Sequence, residues 1–171
     1  MSNDLLYEEK LSSMRTTALF VVLTALCLTL YGWRRGAGDT GALTGVIGFF
    51  AAMFLFYGLN YRTLVVRLTP ASLALTFGLF TWRVPLDNVQ DVALDHLPAF
   101  KRNGGAGIHF MTIRGRYRAS FNFLEYPRVV IALKEPAGPV CDISFSTRRP
   151  DEVGRVIRQT AVALASLVGE A

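Results

Sequence analysis

The chain has 171 residues, of which 51% are apolar, and a formal net charge of +5. Residues 62–171 hold fourteen basic and nine acidic side chains, so the whole positive excess lies in this segment. The two cysteines and two histidines show no metal-ligand spacing, which excludes a zinc module and a disulfide framework. The basic balance permits nucleic-acid binding, but no recognition motif accompanies it, and we expect no nucleic-acid partner.

Two uncharged apolar segments, 16–33 and 40–61, follow an N-terminal tail of residues 1–15. As helices of 18 and 22 residues they are roughly 27 and 33 Å long, enough to cross a hydrocarbon core of about 30 Å. The tail is acidic and no small-residue cleavage site follows the first segment, which favours a retained helix over a signal peptide. We therefore predict a transmembrane helical hairpin over residues 16–61.

The link between the two segments is short, so the predicted helices are antiparallel and both termini lie on one side of the membrane. Four cations flank the terminal side and two lie in the link, namely Lys10, Arg15, Arg62 and Arg67 against Arg34 and Arg35. The positive-inside tendency then places both termini in the cytoplasm. The sequence predicts a multi-pass protein of the inner (plasma) membrane.

Small residues recur along the second segment at Gly41, Gly45 and Gly48. They allow close helix–helix approach, either within this hairpin or between copies of the chain. Neither segment carries an Asp, Glu, Lys, Arg or His residue, which argues against a channel or a proton-coupled transporter.

Residues 62–171 change to short alternating apolar runs separated by turn signals, typical of an all-β domain. The strongest alternation runs through residues 116–123, where apolar and polar side chains point to opposite faces. Residues 98–107 read as an exposed loop, and an amphipathic helix is predicted over residues 150–168. We expect a barrel or sandwich of about seven antiparallel strands with this single helix at its end.

Segments of this domain resemble the bacterial membrane proteins with a pleckstrin-homology-type (PH-like) domain: LVVRLTP at 64–70 with LAL at 73–75, WRVPLDNVQDV at 82–92 and ISFSTRRPDE at 143–152. The resemblance covers nearly the whole chain, including the order of hairpin and domain. It implies a PH-like fold rather than a reaction. The loop at 69–72 is tight and uncharged, unlike the basic loop of phosphoinositide-binding PH domains, so specific inositol-phosphate capture is not expected.

Five cations form the candidate membrane- or partner-binding surface: Lys101, Arg102, Arg114, Arg116 and Arg118. Such residues either contact anionic lipid or a partner, or they are ordinary water-exposed charges on one face of a sheet. Asp87, Asp91 and Asp95 are interpreted as scattered surface charge.

No nucleophile–base pair or paired carboxylates are recognisable, and His96 and His109 are interpreted as structural. We therefore expect a non-enzymatic protein without a cofactor, which binds a protein partner or its own copies at the membrane surface. Direct sensing of anionic lipid and an uncharacterised membrane enzyme are the alternatives.

Overall fold

The structure, a computed structural model, describes residues 5–95, 97 and 107–169. It divides into two compact units. The helical unit comprises Ser12–Arg62, and the β unit joins the chain before Ser12 to the chain after Arg62.

The helical unit consists of α1, Met14–Gly36, and α2, Ala42–Asn60. Both helices are present where the apolar segments predicted them, with bounds that differ by a few residues. Ser13 caps α1, because its hydroxyl oxygen accepts the Thr16 N–H at 3.0 Å. By length and composition, both helices are long and apolar enough to cross a membrane.

Two glycines of α2 lie directly against α1. A Cβ atom added at Gly48 would lie 3.1 Å from the ring of Tyr31, and one at Gly58 would lie 3.2 Å from Cβ of Phe20. These two contacts show that the helices are antiparallel, as the short link requires. Gly45 differs, because a Cβ added there meets no described atom within 4 Å. Gly48 therefore serves packing within the hairpin, whereas Gly45 does not.

The link between the helices is held by its own polar groups. The Asp39 carboxylate accepts the Gly41 N–H at 2.7 Å and pairs with the Arg34 guanidinium, which also donates to the Thr44 hydroxyl at 3.0 Å. The Gly41 N–H and then the Arg34 charge lower the pKa of Asp39.

The first sheet of the β unit has the strand order β1-β2-β3-β4. Its strands are β1 Tyr7–Ser12, β2 Thr63–Leu68, β3 Ser72–Phe77 and β4 Phe80–Pro85. Residues 1–15 were predicted as a tail without secondary structure, whereas Tyr7–Ser12 is an edge strand beside β2. Its alternation of buried and exposed residues is complete, but the buried position at Glu9 is acidic, which hid the pattern.

The second sheet has the strand order β5-β8-β9-β7-β6. Its strands are β5 Val89–Leu94, β6 Gly107–Ile113, β7 Arg116–Asn122, β8 Arg128–Ala137 and β9 Val140–Ser146. A 3₁₀ turn, Leu86–Asn88, connects β4 to β5. Within this sheet the strand pairings are antiparallel, except that of β7 with β9, which is parallel.

The described residues thus contain nine strands in two mostly antiparallel sheets, where about seven antiparallel strands were expected. The parallel pair arises because two hairpins, β6–β7 and β8–β9, meet through β7 and β9. The predicted loop at 98–107 lies outside the described residues, apart from Gly107, which begins β6.

The core lies between apolar faces of the two sheets, where the Phe77 and Phe123 ring centroids are 5.1 Å apart. The C-terminal helix α3, Pro150–Gly169, covers one side of it at β5 and the 3₁₀ turn. Val153 and Ile157 are fully buried on its apolar stripe, and the Arg158 guanidinium donates to the Val92 carbonyl at 2.8 Å. The predicted terminal amphipathic helix is confirmed.

Candidate functional site

The five cations of the predicted basic surface do not share a common environment. Lys101 and Arg102 lie outside the described residues. Arg114 is exposed in the turn between β6 and β7, and the Arg116 side chain is 46% exposed. Arg118 is buried, with 8% of its surface exposed, so its assignment to a solvent-facing patch is wrong.

Arg118 belongs to a cluster of five charged side chains on the second sheet, here called the ionic cluster: Arg116, Arg118, Arg128, Asp95 and Asp142. The Arg118 guanidinium lies 3.4 Å from one Asp142 oxygen and 3.8 Å from an Asp95 oxygen. Arg116 contacts the other Asp142 oxygen at 2.8 Å, and Arg128 pairs closely with Asp95. Each carboxylate therefore joins two guanidinium groups.

Burial makes these ion pairs dependent on one another. The Asp95, Asp142 and Arg128 side chains are at most 5% exposed. Desolvation of such charges costs several kcal/mol per ion unless opposite charges and hydrogen bonds compensate it. The Nε and Nη1 atoms of Arg118 are buried without a hydrogen-bond partner in the described part of the chain. Apart from the half-exposed Arg116, the ionic cluster is therefore buried and does not form an exposed binding surface.

A polar row continues from the ionic cluster along the parallel strands. The hydroxyl groups of Ser120 and Ser144 are 2.7 Å apart, and both residues are buried. Alternation correctly placed Arg118, Ser120 and Asn122 on one face of β7. It could not show that this face is buried, because β7 is an interior strand between β9 and β6.

A second buried carboxylate, Glu9 of β1, connects the start of the chain to the segment after β9. It accepts the Thr147 hydroxyl at 2.6 Å, the Tyr7 hydroxyl at 2.8 Å and the Arg148 N–H at 3.0 Å. Burial raises the pKa of Tyr7. No sequence signal indicates this contact, since Glu9 lies 138 residues from Thr147.

An aromatic surface is formed by Trp82 of β4 with Phe110 and Tyr117 of β6 and β7. The Trp82 and Phe110 ring centroids are 6.4 Å apart, and Phe110 stacks on Tyr117 at 6.2 Å. Trp82 also contacts the buried ring of Phe121 at 6.3 Å, which attaches the surface to the core. Phe110 is 51% exposed. Exposed aromatic side chains of this kind are enriched at interaction surfaces.

Searches of family models, curated proteins and solved structures find no match to this chain. The candidate site is therefore defined by its residues alone.

Among the described residues, no group of three or more His, Cys, Asp or Glu side chains is placed to bind a metal ion. Asp95, interpreted from the sequence as surface charge, is instead a buried member of the ionic cluster. His96 lies outside the described residues, and His109 lies on β6. The aromatic surface remains as the candidate binding site.

Proposed function

We propose that this chain is an integral protein of a bacterial inner (plasma) membrane. The helices α1 and α2 anchor a PH-like β unit to the bilayer, and this unit acts as a non-enzymatic protein-interaction module. Its partner is another membrane-associated protein or a second copy of the chain. The aromatic surface is the contact site.

The place of the two helices along the chain, between two neighbouring strands of one sheet, carries the proposed two-helix anchor. The strand β1 precedes α1, β2 follows α2, and the two strands are neighbours in one sheet. One folded sheet cannot be divided by a bilayer. If the helices cross the membrane, they must cross it twice, and the chain before α1 and the chain after α2 lie on one side.

The exposed apolar surface of the helices supports a membrane location. Only 6% and 11% of their most apolar windows are buried within the protein. A core helix of a water-soluble domain would bury most of its apolar surface. The flanking cations favour placement of the β unit in the cytoplasm.

The engagement of two candidate cations by a carboxylate favours protein binding over the sensing of anionic lipid. Arg116 and Arg118 both contact Asp142, which reduces their availability to lipid phosphates. Aromatic rings with exposed faces instead provide contact area with little loss of side-chain entropy.

Membrane topology is tested with single cysteines in full-length protein that lacks Cys27 and Cys141. We expect a cysteine at Ala37 to react with an impermeant maleimide from the periplasm, and one at Arg83 to react only in inverted vesicles. Alkaline carbonate should leave the protein in the membrane. Labelling of position 37 from the cytoplasm would refute the proposed orientation, and carbonate extraction would refute the anchor.

The interaction surface is tested by photo-crosslinking in cells, with benzoylphenylalanine at Phe110 and, as the matched control, at the exposed Gln90 of β5. We expect a discrete protein adduct from position 110 that Tyr117→Ser abolishes, and none from position 90. Mass spectrometry distinguishes a partner from a second copy of the chain. Lipid adducts alone would support the lipid sensor instead.

A further inference from the structure

The turn between β3 and β4 exposes apolar side chains at its tip. Gly78 and Leu79 form this two-residue turn, and Phe77 and Phe80 pair across its base. Gly78 has a positive φ of 52°. Leu79 is 82% exposed and Phe80 47% exposed. Turn tips normally carry polar residues, so Gly78, Leu79 and Phe80, here called the hairpin apex, form an unusual surface feature.

Strand register places the hairpin apex at a defined end of the first sheet. Leu64 pairs with Phe77, so the apex lies at the end where β2 begins. Only Tyr61 and Arg62 separate β2 from the last residue of α2. The opposite end carries the turn between β2 and β3, with Pro70 and Ala71.

We propose that the hairpin apex inserts into the interfacial region of the bilayer that the helices cross, a site that rests on the proposed membrane anchor. The apolar tip enters the boundary between headgroups and acyl chains, where Leu and Phe side chains are favoured. Trp82, two residues from Phe80 on β4, belongs to the residue types that concentrate at headgroup depth. Arg62 is exposed at the same end of the sheet and is available to lipid phosphates.

Insertion of the apex gives the β unit an attachment besides its two chain connections, which are Ser13 between β1 and α1 and Tyr61–Arg62 between α2 and β2. Both connections join neighbouring strands β1 and β2, whereas the apex lies between β3 and β4, so its contact with the bilayer further restricts the orientation of the β unit. The aromatic surface, joined to the apex through β4, is then held close to the bilayer. A partner must therefore approach along the membrane, as a membrane protein or a second copy does.

Environment-sensitive fluorescence tests this inference on full-length protein in phosphatidylcholine vesicles with phosphatidylglycerol. The variant Leu79→Cys, in the background of Cys27→Ser and Cys141→Ser, carries a nitrobenzoxadiazole label. Ala71→Cys is the matched control, because it is exposed in the turn at the opposite end of the same sheet. We expect blue-shifted emission at position 79 and quenching by acyl-chain nitroxide several-fold stronger than at position 71. Aqueous iodide should quench position 71 more strongly.

The outcomes separate this inference from the proposed anchor. Protein that floats with vesicles but gives equal, iodide-dominated quenching at positions 79 and 71 overturns the insertion and leaves the anchor intact. Protein that does not float with vesicles overturns both. A blue shift that depends on protein density in the vesicles, without nitroxide quenching, assigns the apex to self-association and also overturns the insertion.

Discussion

Two nearby arginines show how burial changes the role of a charge. Arg114 and Arg118 are four positions apart, yet the first is exposed in a turn and the second is buried between Asp95 and Asp142. An exposed cation affects solubility and binding, whereas a buried one contributes to stability through its partners.

Removal of the Asp142 charge should destabilise the β unit. Asp142→Asn leaves Arg116 and Arg118 without the carboxylate that both contact. Breaking a buried pair by neutralising one member typically costs about 3 kcal/mol. We expect a loss of this size in the free energy of unfolding, measured by urea denaturation of the full chain in detergent.

Arg114→Gln is the control for this change, because it removes an exposed charge from the neighbouring turn. Its effect should remain within about 0.5 kcal/mol. Equal effects of the two substitutions would show that the ionic cluster does not behave as a buried network.

The phenol of Tyr7 provides a prediction for alkaline pH. Burial raises its pKa, so the folded state keeps the proton to higher pH than the unfolded chain, in which a tyrosine ionises near pH 10. The resulting stability is present below about pH 10 and is lost as the pH rises through and beyond that value.

Ultraviolet difference titration of the wild type against Tyr7→Phe checks this behaviour. We expect the difference signal to titrate above the range of an ordinary tyrosine and to return to that range in urea. An ordinary midpoint in the folded protein would contradict the burial of the phenol.

At the scale of secondary-structure elements, α1 and α2 depend on small residues where they touch. Gly58 approaches Cβ of Phe20, an atom fixed to the backbone that cannot rotate away. Gly48 approaches the Tyr31 ring, which can move more easily.

Gly58→Leu should therefore separate the helices. Overpacking of a close contact typically costs about 1–3 kcal/mol, so we expect detergent-solubilised protein to aggregate at a clearly lower temperature. Gly45→Leu is the matched control in the same helix, because the space beside Gly45 is open.

The control also tests packing between copies of the chain. If Gly45→Leu leaves thermal stability intact but changes the oligomeric state on size exclusion, Gly45 contacts a second copy. If both substitutions lower the aggregation temperature equally, the open space at Gly45 is not present in solution.

At the scale of the whole molecule, the β unit is closed by contacts between distant parts of the chain. Glu9 of β1 accepts hydrogen bonds from Thr147 and Arg148, which follow β9. The segment before the helices is thereby tied to the junction between the second sheet and α3.

Glu9→Gln should weaken this closure. Hydrogen bonds to a charged group contribute roughly 1.5–3 kcal/mol, and we expect the free energy of unfolding to fall by about 2 kcal/mol. Glu8→Gln is the matched neighbour, since Glu8 forms an exposed pair with Arg67 and should change stability by less than about 1 kcal/mol. Indistinguishable urea midpoints for the two variants would exclude a closing role for Glu9.

Local periodicity made much of the fold predictable. Uninterrupted apolar runs determine α1 and α2, alternation determines most strands after Arg62, and steps of three and four residues determine α3. Each pattern reflects the side-chain geometry of its own element, so neighbours along the chain suffice to reveal it. The sequence by itself thus determined two apolar helices, a β-rich unit and a terminal helix.

Only the tertiary structure decided which strands become neighbours. It placed β1 beside β2, although α1 and α2 separate these strands along the chain. It also made β7 and β9 parallel and buried Arg118 and Glu9. It also formed the aromatic surface, because the packing of the two sheets places Trp82 of β4 beside Phe110 of β6. Such contacts depend on the free energy of the whole assembly. No local spacing encodes them, because a charged residue looks the same in sequence whether its partner is water or a distant carboxylate.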